Sequence, residues 1–138
     1  MPTFKNIEQA DKCVERANIL TQNAQYDDAI QLLIVALKAY YKNELWDKYV
    51  KTCIYIGLNY NSLAIPIATE TYLQNALEVA EKKMETDHFY TSEVYMHLGL
   101  CFANKGDYER SLYYHNLALD MRLRLLEEKS IAVAESYY

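Results

Sequence analysis

The sequence predicts an all-α protein, an α-solenoid of antiparallel helix pairs. Three observations carry that prediction. The 138 residues include only three glycines and two prolines, too few for the tight turns that an all-β or α/β chain needs. A pattern of small, aromatic and aliphatic residues recurs three times in fixed register, with a period of about 42 residues, the mark of a repeat architecture. Each recurrence holds two helical apolar periods split by a short turn.

The register is set by Gly57 and Gly99, which stand one period apart. Each follows an aliphatic residue, Ile56 or Leu98, and each precedes an aromatic by three positions, Tyr60 or Phe102. Twelve residues after each glycine comes a small residue, Thr69 or Ser111, and nineteen after comes Ala76-Leu77 or Ala118-Leu119. Ala17, nearly a full period before Gly57, opens a first unit with Ala29 and Ala36-Leu37 at the same distances. The repeats span about 10–49, 50–91 and 92–133 within a single domain, 1–138. Glu135 and Tyr137 fall one period after Glu93 and Tyr95, so a truncated fourth unit is expected at 134–138. No polar terminal cap follows it, and solenoids need one. The chain is therefore expected to be the N-terminal module of a larger protein.

The periodicity places helices at about 6–23, 26–43, 45–62, 66–86, 90–104 and 107–128. Pro66 suits the first turn of a helix, where its missing N–H costs nothing. Asp107 is placed to cap the last helix, and Asn6 with Gln9 reads as a capping box for the first. The small residues Ala17, Ala29, Ala36, Gly57, Thr69, Ala76, Gly99, Ser111 and Ala118 are expected where helices cross, because close approach requires small side chains.

The stretch Tyr95-xx-Leu98-Gly99-xx-Phe102-xxx-Gly106-Asp107-Tyr108-xx-Ser111, ending at Ala118-Leu119, resembles the tetratricopeptide repeat signature of Trp-xx-Leu-Gly-xx-Tyr followed by small, aromatic and Ala positions. The period is longer than the usual ~34 residues and resembles the variety found in kinesin light chains. That resemblance implies a right-handed superhelix whose first helices line a concave groove. It also implies a protein–protein interaction scaffold that holds a peptide or partner protein there. By register the groove carries Asp11, Val14, Glu15 and Asn18 from unit one, then Lys51, Ile54, Tyr55, Leu58, Asn61 and Ser62 from unit two. Unit three adds Glu93, Met96, His97, Leu100 and Asn104. Ile54, Leu58, Met96 and Leu100 are expected to form an exposed apolar strip flanked by Tyr55 and His97, and such patches mark interaction sites. Chaperone-tail binders of this family grip a carboxylate with two Lys, two Asn and an Arg. Those positions here hold Val14, Asn18, Tyr55, Glu93 and His97. Only Asn18 matches, and Glu93 would repel a carboxylate, so that activity does not carry over.

Other function classes find little support. With 51% hydrophobic and 24% charged residues the chain has the composition of a folded domain rather than a disordered one. The net charge is −5 with no basic stripe, so neither nucleic acid nor an anionic membrane is an expected partner. Cys13, Cys53 and Cys101 are an odd count without a CxxC pair, which points to free thiols in a reducing, cytoplasmic setting. Cys13 and Cys53 take the slot of the family's Trp and read as packing residues. His97 and Cys101 have metal-ligand spacing on one helix, with His115 across from them, but no fourth ligand is evident. No metal, no cofactor and no enzymatic activity are expected, since no nucleophile–base pair emerges. The alternative to a peptide-binding groove is a structural module whose open C-terminal end pairs with a second copy, giving a homodimer through Leu112, Leu119, Leu123 and Leu125.

Overall fold

The computed structural model describes residues 3–136, and the side chains of residues 6–136. Six helices follow one another: α1 (Thr3–Gln22), α2 (Tyr26–Lys42), α3 (Trp46–Ser62), α4 (Pro66–Lys83), α5 (Phe89–Asn104) and α6 (Tyr108–Ser136). The closest partners are α1 with α2, α3 with α4, and α5 with α6. These pairs stack side by side through α2 on α3 and α4 on α5, and α3 also touches α5. The result is an α-solenoid in which each element meets mainly its chain neighbours, and burial accumulates pair by pair.

Four of the five connections use one backbone device. After α1, the Gln25 N–H donates to the Leu20 carbonyl at 2.8 Å and the Ala24 N–H to the Thr21 carbonyl at 3.0 Å. The same two bonds recur at Leu45 and Glu44, at Ile65 and Ala64, and at Asp107 and Gly106. This is the Schellman closure, which satisfies the last carbonyls of a helix by putting one residue in the left-handed region. That residue is Ala24, Glu44, Ala64 or Gly106, with φ of 60°, 55°, 59° and 81°. Only the last is the glycine that this conformation favours.

The exception, residues 84–88, joins units two and three. Helix α4 stops at Lys83, short of the expected 86, because Met84 turns extended and packs its side chain against the core. His88 then starts α5, its Nδ1 accepting from the Tyr90 N–H at 3.1 Å. Arg124 fastens this loop to α6 by donating from Nε and Nη2 to Asp87.

The core lies between the helix layers. Val50, Cys53, Ile54, Leu73, Val94 and Leu98 form its largest cluster, and Ala17, Ala29, Ile30, Leu33 and Ile56 a second. The small residues of the repeat are buried where helices meet. Thr69 Oγ1 donates to the Gly57 carbonyl at 3.2 Å across the α3–α4 crossing. The two glycines differ. A Cβ on Gly99 would lie 2.8 Å from the His115 ring, whereas one on Gly57 would meet the Thr69 carbonyl at 3.5 Å, an ordinary contact. A side chain at 99 therefore requires the His115 ring to move, whereas one at 57 displaces nothing.

Two expectations at the chain ends are corrected. Asn6 does not cap α1, because the helix begins at Thr3 and Asn6 lies inside it. No turn separates a fourth unit: α6 runs unbroken through Ser136. The segment Glu128-Lys129-Ser130-Ile131-Ala132-Val133-Ala134-Glu135 has neither Gly nor Pro to interrupt the ladder. Tyr137, part of the fourth-unit pattern, lies outside the described residues. Asp107 does cap α6, accepting from the Arg110 N–H at 3.2 Å, and Pro66 opens α4.

Candidate partner-binding groove

Helices α1, α3 and α5 are the first members of their pairs, and side chains tie them together. Between α1 and α3, Thr21 Oγ1 donates to Asn59 Oδ1 at 2.9 Å and Lys48 Nζ pairs with Asp11 at 3.0 Å. Between α3 and α5, Lys51 Nζ lies 5.7 Å from the centre of the Tyr55 ring and 5.8 Å from that of Tyr90. Burial lowers the Lys51 pKa, but the two tyrosines outweigh it and hold the net shift upward.

The C-terminal halves of α3 and α5 part enough to leave a cavity of about 180 Å³ backed by α4. Buried Gly57, Thr69 and Leu73 form its floor. Leu58 and Leu100 flank it, 41% and 48% exposed, with half-buried His97 and Cys101 beside them. The exposed amides of Asn61 and Asn104 complete its polar edge. A concave apolar recess with a few convergent polar groups is the usual form of a ligand site. Burial lowers the His97 pKa, opposed by Glu93 and reinforced by Arg122. Burial likewise raises the Cys101 thiol, so it stays protonated. A wider depression of about 430 Å³ lies between α1 and α2, but it falls outside the expected groove.

The structure thus brings together Leu58, Asn61, His97, Leu100 and Asn104. It does not bring the other expected residues to the same recess. Ile54 is only 5% exposed and belongs to the core with Leu77 and Val94. The exposed four-residue strip is therefore corrected to Leu58 and Leu100, since packing of α5 beside α3 covers the position of Ile54. Met96 is half-buried, its Sδ 3.8 Å from Arg122 Nη2, and Glu93 is paired with the same guanidinium at 2.6 Å. Glu93 is thus neutralised from α6. Asn18, Val14 and Tyr55 are half-buried along the inner helices, and Glu15 and Ser62 are exposed. Gly57, Thr69, Leu73 and Cys101 were not expected in the recess. Thr69 twelve residues after Gly57 was the available signal, because a small residue on each side of a crossing leaves room above it.

Among the described residues no group of three or more His, Cys, Asp or Glu side chains is arranged to hold a metal ion. His115 instead packs its ring over Gly99. Cys53 is buried, which pushes its thiol up to about 12, and Cys13 is half-buried. No helix is long and apolar enough to cross a membrane, among the described residues.

Stacked helical hairpins joined by repeated tight turns, with small residues at the crossings, define a helical-repeat protein of the solenoid class. The tetratricopeptide repeat model matches residues 66–138, and the chain belongs to the tetratricopeptide repeat family. Its structure is similar to the crystal structure of the TPR domain of Arabidopsis FLU, with a TM-score of 0.75 at 14% sequence identity over 90% of this chain and 99% of that one. At that identity the likeness concerns the fold. No curated protein sequence matches the chain.

Proposed function

We propose that the chain is a non-enzymatic scaffold that binds an extended peptide segment of a protein partner on its inner face. The peptide would seat one apolar side chain in the recess between Leu58 and Leu100. The observation that carries this reading is the coincidence of that recess with Asn61 and Asn104. Each amide offers donors and an acceptor to a peptide backbone, while the recess accepts the side chain that gives specificity. Main-chain bonds for affinity and pockets for side chains form a recurrent division of labour in peptide recognition. With Glu93 occupied by Arg122, its carboxylate does not oppose an apolar ligand. Three free cysteines fit a reducing, cytoplasmic location.

A random peptide library selected against the chain tests this. Enriched peptides should share one bulky apolar residue. Their affinity should fall about tenfold or more for Asn61→Ala with Asn104→Ala, the loss expected from a few buried hydrogen bonds. Peptides that bind this double variant as tightly as the parent would contradict the reading.

A further inference from the structure

Helix α6 outruns its own packing. Its inward residues Ser111, Ala118 and Met121 are buried, but from Leu126 to Ser136 every side chain is exposed. Along its outward side Leu112, Leu119, Leu126 and Val133 stand seven residues apart, each about half exposed or more. Residues seven apart drift by only ~20° around a helix, so the four make one stripe roughly 30 Å long at 1.5 Å per residue. Leu123, also exposed, lies beside it, in a second row with Asn116 and Ser130.

Equivalent positions show what this stripe lacks. Leu119 corresponds to Leu77, which is buried in the core that α5 completes, and to Leu37, half-buried beneath α3. The other end of the stack is different. Lys12 and Arg16 of α1 are exposed, at the positions of buried Thr52 and Ile56 in α3 and of buried Val94 and Leu98 in α5. Stacking the α1 face of one copy on the α6 face of another would set Lys12 and Arg16 against the apolar Leu119 row and strip both cations of water, which is costly. Head-to-tail growth is thereby disfavoured, while the apolar face remains available to itself.

We infer that two copies of the chain associate through α6 about a two-fold axis, with the two helices parallel along the Leu112–Leu119–Leu126–Val133 stripe. The charges select the direction. Lys129 borders one edge of the stripe, on the side where Arg122 is held by Glu93 of α5, and Asp120 and Glu127 border the other. A parallel pair sets each edge against the opposite edge of the partner, and an antiparallel pair sets like against like. Asn116, exposed within the second row, is the kind of polar residue that fixes register in two-stranded coils. This inference is independent of the peptide-binding reading, since α6 does not line the recess.

Sedimentation velocity of the 138-residue chain should show a monomer–dimer equilibrium at micromolar concentration. Leu119→Lys with Leu126→Lys should weaken it about tenfold or more, with an unchanged far-UV spectrum as the folding control. Orientation is read from cross-linking. Leu112→Cys and Val133→Cys, each made separately, should form a covalent dimer on mild oxidation, because parallel helices place each residue opposite its own copy. The parent chain, carrying only its native cysteines, should not. A monomer up to high micromolar concentration, a ladder of larger species, or a dimer that neither cysteine traps would overturn the inference.

Discussion

At the scale of single residues, the two glycines of the repeat separate into different roles. Gly99→Leu should destabilise the fold by about 1–3 kcal/mol, because its side chain enters the space of the His115 ring and overpacks the crossing. Gly57→Ala meets only ordinary contacts and gains helix propensity, so it should stabilise by about 0.5–1 kcal/mol. Urea unfolding midpoints of the two variants decide the matter, and equal losses would mean that the crossings are alike. His97 supplies a pH test. Its pKa in the folded state lies below the ordinary 6.5, chiefly through burial. The unfolded chain therefore takes up this proton first as pH falls. The contribution of His97 is fully present above the unfolded value and is lost between that value and the lower folded one. His97→Gln should flatten the fall in stability below about pH 6.5 relative to the parent. An unchanged slope would place the responsible group elsewhere.

At the scale of elements, three of the four Schellman turns hold a non-glycine residue in the left-handed region. Ala64→Gly relieves a conformation that costs an L-residue about 1–2 kcal/mol, less the extra entropy glycine loses on folding. A net gain of about 0.5–1 kcal/mol is expected, read as a shift in thermal midpoint, and a loss would contradict the shared closure. Helix boundaries show how far the sequence was legible. The gaps left between the expected helices fall at the turns around Ala24, Ala64 and Gly106, and the helices between them start and stop within a few positions of expectation. The end of α6 was misread, since Glu135 and Tyr137 echo Glu93 and Tyr95 in register. An echo of side chains does not make a turn, however, and the breaker that a new unit requires is absent. In the recess, register identified Leu58, Asn61, His97, Leu100 and Asn104 as residues of one face. It failed for Ile54 because periodicity gives the direction of a side chain but not how far the next helix slides over it. The pairing of Glu93 with Arg122 joins positions 29 apart on separate helices and left no pattern to read.

At the scale of the whole molecule, α1 exposes Lys12 and Arg16, α6 exposes an apolar stripe, and the recess lies between the second and third pairs. Binding and association therefore use different faces and should vary independently. The peptide-binding reading is the central claim, and amide chemical shifts during titration with a library-selected peptide test it most directly. Resonances of Leu58, Asn61, His97, Leu100 and Asn104 should move together and saturate, while those of Leu112, Leu126 and Val133 stay in place. Saturable shifts confined to the outer helices α2, α4 and α6, with the five recess residues unmoved, would contradict the account.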